Sequence, residues 1–395
     1  MNHFPGSGHL GKKSNLWKHY NRLKQVFPHD YNYIPQTYLL EYDLLAFQTR
    51  QQAAKNETLW IMKPNSMNNG SGIQIIQKNF KPTQKKGVLI SDYIMNPHLI
   101  GGLKYDLRIY VLVGSMDPLR IYLHEEGIVK FATKGYTNES DKINDKFVHL
   151  TNYSMNKENP DYRKNADINE KDFAHKWSLR KLRREYEKMG ISYEKILKAI
   201  KDMIIKTFIS AEPYVFEGPT RPYSVQKKCF ELFGVDILID SDLKPWLIEV
   251  NAFPSFNTDS PIDDMIKSTV LCDTLNLVGL RMESLEKAGK PREEGKKRNI
   301  TALETLNEKN CVHVLNTEDW EMLFDAEEEL YRRGNFELLF PLNENSEVYR
   351  KFFEIERYNN VLLWKYKELM RDFDEDLLQQ VTSLQYLKNH SLNNG

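Results

Sequence analysis

The sequence predicts a mixed α/β (α+β) fold: strands build a middle lobe, helices and a strand hairpin follow, and a helical appendage closes the chain. Three observations carry this. Polar and apolar residues alternate from about Lys104 to Val113, the period of a strand with two unlike faces. Ile196, Ile200, Ile204 and Phe208 recur every four residues in a segment that reads as helix from about Asp172 to Ile209, broken at Gly190. Two alternating runs from about Phe230 to Asn251 flank a polar turn, the mark of a hairpin.

In chain order, residues 1–60 read as irregular and then helical, part of an amino-terminal lobe. Leu59 to Met62 reads as a buried strand running into Lys63-Pro64; after a loop, Gly72–Ile76 and Val88–Ile90 read as strands, so 61–134 form a central lobe. Residues 135–280 hold the long helical segment, the hairpin and a last helix. A charged linker with glycine and proline, 281–300, marks a boundary. In 301–380, Trp320, Leu323, Phe324, Leu330 and Tyr331 fall at helical spacing, Arg332-Arg333 suit the negative end of a helix, and Gly334 supplies its stop. The Asn-rich stretch 381–395 is expected to be disordered.

A chain of 395 residues, 41% hydrophobic, can bury a core across two or three lobes. Cys229, Cys272 and Cys311 lie far apart and form neither a redox nor a zinc pattern, which fits a reducing compartment. No stretch approaches the roughly 20 apolar residues of a bilayer span, and Met1–Leu10 lacks the regions of a signal peptide. The expectation is a cytoplasmic monomer with neither membrane nor nucleic acid as partner. The net charge of zero hides an asymmetry. From Arg281 onward there are 17 basic and 23 acidic residues, leaving 38 and 32 before it. A basic body can steer an acidic partner; an ordinary solvated surface accounts for so small an excess equally well.

Three constellations can carry chemistry. In Phe233–Asp240, Phe233, Val235, Ile237 and Ile239 share a face and Asp236 points the other way; in Pro245–Asn251, Leu247, Glu249 and Asn251 oppose Trp246, Ile248 and Val250. If Asp240 pairs with Pro245, Asp236 faces Glu249, and two carboxylates and an amide oxygen converge as hard ligands suited to Mg²⁺. Facing acids in a sheet repel unless a cation lies between them. The pattern alone fits metal ligation and the exposed side of an amphipathic hairpin equally. The second constellation is Lys104, Asp106 and Arg108 on one strand face, a row able to hold a phosphate and a carboxylate, or else a salt-bridged surface. The third is Lys63 followed by Gly70 and Gly72, where backbone N–H groups and a point charge can meet phosphate oxygens; a glycine pair is more often a plain turn. No G-x-x-x-x-G-K-[ST] and no G-x-G-x-x-G opening a helix is present, so a nucleotide, if bound, lies between sheets.

These residues resemble the tubulin–tyrosine-ligase-like family, and within it the polyglutamylase branch. The resemblance rests on Asn2-His-Phe-Pro-Gly6, Lys63-Pro64 with Gly70-x-Gly72-Ile73, Gly102–Tyr110, His149-Leu-Thr-Asn-Tyr-Ser154, His175-Lys-Trp177, Phe230–Asp236 and Leu243–Asn251, in family order over about 280 residues. The tail around Glu328–Gly334 and Phe352–Tyr358 is similar to that of one polyglutamylase group. The resemblance implies an ATP-grasp fold, with the nucleotide held between two β-sheet lobes. It implies ATP contacts at Lys63, Asn69, Gly70, Ser71, Gly72, Ile73, Ser91, Asp92, Tyr93, Ile94, Lys104, Asp106, Thr151 and Asn152. Asp236, Glu249 and Asn251 match the family's magnesium ligands. Arg108 falls beside the transferring phosphate, and Lys130, Tyr153, Ser154, Lys176 and Lys267 fall where the incoming amino acid is held. The family usually has arginine where this chain has Asn69, glutamine at Ser91 and arginine at Lys130. Lysine keeps the charge and loses the planar fork. Relatives carry more residues before the Asn-His-Phe-Pro-Gly motif, so the amino-terminal lobe is expected to be partial.

The implied activity is an ATP- and Mg²⁺-dependent carboxylate–amine ligase that joins free L-glutamate to acceptor glutamates of tubulin or microtubule acidic tails, with Lys63, Lys104 and Arg108 as catalytic residues. Its place would be the microtubule cytoskeleton, including the cilium or basal body. Alternatives are a glycine or tyrosine ligase of the same fold and a catalytically inactive microtubule-binding module.

Overall fold

The computed structural model describes residues 3–65, 70–83, 85–139, 141–169, 173–215, 229–279, 300–304, 306, 314–342 and 346–371. The expected linker up to residue 299, the terminus 381–395 and Cys311 lie outside the described residues. Helix begins early, at Gly8–Gly11 (α1) and Lys13–Val26 (α2), rather than after an irregular start. In α2 Leu16, Tyr20 and Leu23 turn inward at helical spacing, beside Trp17.

Thr37–Leu39 (β1), Leu40–Ala53 (α3), Trp60–Pro64 (β2), Gln74–Ile76 (β3) and Val88–Asp92 (β4) form a small antiparallel sheet of order β1-β4-β2-β3 with one helix against it. Phe47 of α3 meets Trp60 edge-on at 5.7 Å, and Tyr38, Ile76, Val88 and Ile90 complete the apolar layer. β1 is three residues long, too short to show an alternation in sequence.

The large sheet starts with Leu99–Ile100 (β5), Leu103–Met116 (β6) and Leu119–Phe131 (β7). Two one-turn helices, Lys146–His149 (α4) and Tyr153–Asn156 (α5), follow, then Lys176–Ser178 (β8), Leu179–Lys188 (α6) and Tyr193–Val215 (α7). Gly190 turns the chain between α6 and α7 at φ 71°, where a side chain would strain. The expected helical segment thus opens with a short strand. Glu231–Ile239 (β9), Pro245–Asn251 (β10) and Pro261–Val278 (α8) complete the body. The sheet order is β10-β9-β6-β7-β11, where β11 comes from the tail, and β5 and β8 add to β6 and β7. Tyr105, Leu107, Ile109 and Val111 of β6 face α6 and α7, packing with Ile196, Ile200, Ile204 and Phe208. Tyr110 and Leu112 face the other way, under Ile262, Ile266 and Val270 of α8. Lys104, Asp106 and Arg108 share that second face. Among the described residues no helix is long and apolar enough to cross a membrane.

The tail holds Ile300–Glu304 (α9), Thr317–Arg332 (α10), Phe336–Phe340 (β11), Ser346–Arg350 (α11) and Tyr358–Arg371 (α12). Gly334 at φ 55° follows α10, where the sequence put a helix stop. The tail departs from a purely helical appendage at β11, which pairs with β7 through Phe336–His124, Glu337–Leu123 and Leu338–Tyr122. The five residues Phe336-Glu-Leu-Leu-Phe340, between Gly334 and Pro341, are too few for a helix and fit a strand. Sequence segments 61–134, 135–280 and 301–380 therefore all contribute strands to one hydrogen-bonded layer.

Buried polar groups tie the tail down. Glu329 accepts two hydrogen bonds from Arg120, at 2.7 and 2.9 Å, and one from the Tyr122 hydroxyl at 2.7 Å. The Asp273 carboxylate of α8 accepts the Asn335 backbone and side-chain N–H at 3.1 and 2.9 Å. Removing one partner of a buried pair leaves the other charge uncompensated. Glu329→Ala should cost about 3–5 kcal/mol in urea unfolding, and the double change Arg120→Met with Glu329→Leu should recover most of it. A loss below about 1 kcal/mol would mean that the tail is not anchored through this pair.

Candidate active site

One cleft opens between the small sheet and the exposed end of the large one. Its walls include Lys63 of β2, Gly70, Ser71 and Ile73 of the following loop, Ser91 and Asp92 of β4, Tyr93, Ile94, Lys104, Asp106, Thr151, Asn152, Asp236 and Glu249. Ile34, Ile61, Leu89, Leu238 and Leu247 add an apolar wall, which suits a flat ring beside a cationic end. Gly72 and Asn251 stand next to this lining, and Asn69 lies outside the described residues. The loop can approach so closely because residue 70 is glycine. A Cβ there would lie 2.7 Å from Met155 Sδ and 3.0 Å from Asn152 Oδ1, at φ 82°. The Ser91 hydroxyl is engaged with Thr37 at 2.7 Å.

The β9–β10 hairpin brings its acids together by a route the alternation did not show. Pro245 pairs with Ile239, not Asp240, and on that register Asp236 would face Ile248. A bulge between Leu247 and Glu249 inserts one residue and restores Asp236 opposite Glu249. The turn is pinned by Asp240, which accepts N–H groups from Asp242, Lys244 and, at 2.7 Å, the Trp246 ring. Asn251 Nδ2 lies 3.2 Å from Glu249 Oε1 and 3.5 Å from Asp236 Oδ2, so the three expected ligands converge.

Side-chain cations face each of the acids. β6 runs beside β9 with Arg108 opposite Asp236, and the guanidinium grips the carboxylate with both arms at 2.6 and 2.8 Å. A Cβ on Gly234 would stand 3.0 Å from Arg108 Cδ, so the glycine lets the arginine lie flat on the strand. From β7, Lys130 Nζ reaches Asp106 at 3.0 Å and Asp236 at 3.3 Å. Asp106 also accepts a hydrogen bond from Thr151. On the far side Lys13 of α2 lies 3.3 Å from Glu249.

The remaining expected contacts gather around Asp263 near the start of α8. Lys176 Nζ meets this buried carboxylate at 2.5 Å and Lys267 at 3.3 Å, and the Tyr153 ring stacks on Lys176 Nζ at 3.7 Å. Lys267 also donates to the Asn257 carbonyl. Ser154 sits in α5 beside Tyr153. Lys130 and Lys176 are neighbours across β7 and β8, which makes the cluster continuous with the acid pair.

Burial sets the charge states. It lowers Lys63 to about 8 against the raising pull of Glu249, and lowers Lys104 to about 7 although Asp106 pulls it back up. Burial pushes Asp236 up, but Arg108 and then Lys130 outweigh it and hold the carboxyl well below the usual carboxylate range. For Lys130 burial is likewise outweighed, by Asp106 and Asp236, and its pKa rises. Burial raises Asp106 and lowers Lys176.

The donor set fits a hard divalent cation: Asp236 and Glu249 supply anionic oxygens, Asn251 an amide within reach of both, and Lys63 lines the same cleft for the phosphates such a cation accompanies. Sequence reasoning missed Lys13, His149, Tyr136 and Asp263. Lys13 carries no local pattern beyond a Lys12-Lys13 pair. Asp263 was legible as the partner of an N-cap, since Ser260-Pro-Ile-Asp opens α8 and Ser260 accepts the Asp263 N–H at 3.3 Å.

Residues 1–286 match the tubulin-tyrosine ligase family. The chain is 36% identical over 406 aligned residues to the human tubulin monoglutamylase TTLL4, covering 93% of this chain and 33% of that protein. It is 33% identical over 390 residues to the Caenorhabditis elegans tubulin polyglutamylase ttll-4, covering 94% of this chain and 64% of that protein. To the mouse tubulin polyglutamylase TTLL5 it is 34% identical over 395 residues, 92% of this chain and 29% of that one. The chain spans about a third of the length of the first of these relatives.

Binding of a polyphosphate beside the two lysines would be proton-coupled. Both lose charge as pH rises through about 7 and 8, and an anion favours their protonated forms. Titration calorimetry with ATP in two buffers of different ionisation enthalpy should show net uptake of about one proton at pH 8, falling toward zero at pH 6. Absence of uptake at pH 8 would mean both ammoniums are already charged before binding.

Proposed function

The chain belongs to the tubulin-tyrosine ligase family, and from that premise we propose that it is an ATP- and Mg²⁺-dependent ligase joining free glutamate to acceptor glutamate side chains of tubulin. The observation that carries the proposal is the cleft where Lys63 and Lys104 face the Asp236–Glu249 pair backed by Arg108. The glutamylase names of the relatives favour glutamate over glycine or tyrosine as the added residue. The proposed place of action is the microtubule cytoskeleton, with the cilium or basal body as part of that proposal.

A carboxylate is a poor electrophile. In the proposed reaction an oxygen of the acceptor carboxylate attacks the γ-phosphorus of ATP, the bond to the β-phosphate oxygen breaks, and ADP leaves an acyl phosphate behind. The amine of free glutamate then attacks the acyl carbon, the bond to phosphate breaks, and the amine loses a proton as the isopeptide forms. A bound Mg²⁺ would neutralise phosphate charge. Asp236, Glu249 and Asn251 would hold it, Lys63 and Lys104 would draw the phosphates into the cleft, and Arg108 would keep Asp236 ionised and stand beside the transferring group. Lys130, Tyr153, Ser154, Lys176 and Lys267 are the proposed amino-acid contacts. The loop at Gly70–Ile73, the Ser91–Ile94 segment, Asp106, Thr151 and Asn152 are the proposed nucleotide contacts. No nucleophilic side chain is required, since positioning and charge neutralisation supply the catalysis.

Glu249→Gln should keep the fold and lower ligation by about 100-fold or more, because the near-isosteric amide removes one of two anionic ligands. Mass spectrometry of tubulin after incubation with ATP, Mg²⁺ and glutamate reads this, and retained activity would remove Glu249 from the metal site. Lys130→Ala should raise the glutamate KM by about 10-fold or more, and Lys130→Arg should lower it or leave it alone. An unchanged glutamate KM in the alanine variant would take Lys130 out of the amino-acid site.

A further inference from the structure

Lys104 is almost fully buried, and a buried ammonium needs an acceptor. Its Nζ donates to the Tyr93 hydroxyl at 3.0 Å and lies 4.5 Å from the centre of the same ring. The Tyr93 hydroxyl in turn lies 2.9 Å from His149 Nδ1, and His149 Nε2 lies 3.2 Å from the Lys142 carbonyl.

Partner chemistry constrains the protons in this chain. A carbonyl only accepts, so His149 Nε2 carries hydrogen; Lys104 in its charged form only donates, so the Tyr93 oxygen accepts from it. Burial and the nearby Lys104 charge lower the His149 pKa to about 4, so the ring is neutral near pH 7 and Nδ1 is bare. The Tyr93 O–H can therefore donate to Nδ1, which turns its lone pairs toward Lys104; the Tyr136 hydroxyl, which itself donates to the Met95 carbonyl, is its other hydrogen-bond neighbour. Each member comes from a different part of the chain: Tyr93 follows β4 of the small sheet, Lys104 lies on β6 of the large sheet, and His149 ends α4, two residues before Thr151. Tyr136 packs edge-on against His149 at 5.7 Å and holds the ring's plane.

We propose that His149 is a positioning residue for the nucleotide site: through a fixed tautomer it orients the Tyr93 hydroxyl, which sets Lys104 Nζ where the phosphates of ATP would meet it. This rests on the cleft being an ATP site. A role in packing alone would lower the melting temperature and leave the ATP Kd unmoved, whereas a chain acting on one ammonium moves the Kd and makes the two contributions to it redundant.

The test is a double-mutant cycle on the full chain, with ATP and Mg²⁺ binding followed by calorimetry and folding by thermal melting. Tyr93→Phe and His149→Leu should each weaken the ATP Kd by about 10-fold, and the double variant should be no weaker than the worse single. His149→Asn, whose Oδ1 stands where Nδ1 stood, should stay within about 3-fold of wild type. The KM for glutamate should not move in any of them. Multiplying losses in the double variant, or an asparagine as damaging as leucine, would overturn the proposal. Should His149→Leu fail to fold, Tyr93→Phe decides alone: wild-type ATP affinity in that variant overturns the chain, and a loss that disappears in a Lys104→Met background supports it. Failure of the wild-type protein to bind ATP would instead defeat the assignment of the cleft.

Discussion

Two carboxylates facing each other across a hairpin repel, and this site is built around the guanidinium that makes the pairing tolerable. Arg108 can fork onto Asp236 only because β6 lies beside β9 in a register that sets residues 108 and 236 opposite, and because Gly234 leaves the strand surface bare where the arginine crosses it. The next strand, β7, then delivers Lys130 to Asp236 and to Asp106. Three adjacent strands must be in register at once, so the site inherits its precision from the most buried layer of the protein rather than from its loops.

The cleft shows a division of electrostatic labour. Asp236 is kept ionised by cations that outweigh its burial, while Lys63 and Lys104 are left undercompensated by nearby acids, so that burial prevails and brings them near neutrality. Charge on the Asp236 side is thus held across the ordinary pH range, while charge on the Lys63 and Lys104 side varies as pH passes through about 7 and 8. The hydroxyl of Tyr93 serves the second half, since a dipole can orient an ammonium without fixing its protonation as a carboxylate would.

How much of this was legible depended on the range of the interaction. The β6 row and the hairpin acids were visible because period-two alternation is local, and the facing of Asp236 and Glu249 emerged although the register assumed for it was one residue off. The bulge at Ile248 that corrected it has no sequence mark, because nothing in Pro-Trp-Leu-Ile-Glu-Val-Asn distinguishes a bulged isoleucine from a paired one. Lys13 was invisible for another reason: its partner Glu249 is more than two hundred residues away and its own helix offers only one more charge among many. The strand at Phe336–Phe340 was hidden by the helical pattern ahead of it, which drew the whole tail into one class.

That strand changes what counts as a unit of this protein. The family match ends at residue 286, yet β11 lies on β7 fifty residues later and covers a stretch of backbone that would otherwise be an open sheet edge. Cutting the chain where the match stops would bare the amides and carbonyls around Leu123 and strip Arg120 of the carboxylate it faces inside the core. Such an edge recruits other chains. A fragment cut at the end of the family match would be prone to aggregate through β7, and the strand and helices of the tail are what seal that edge.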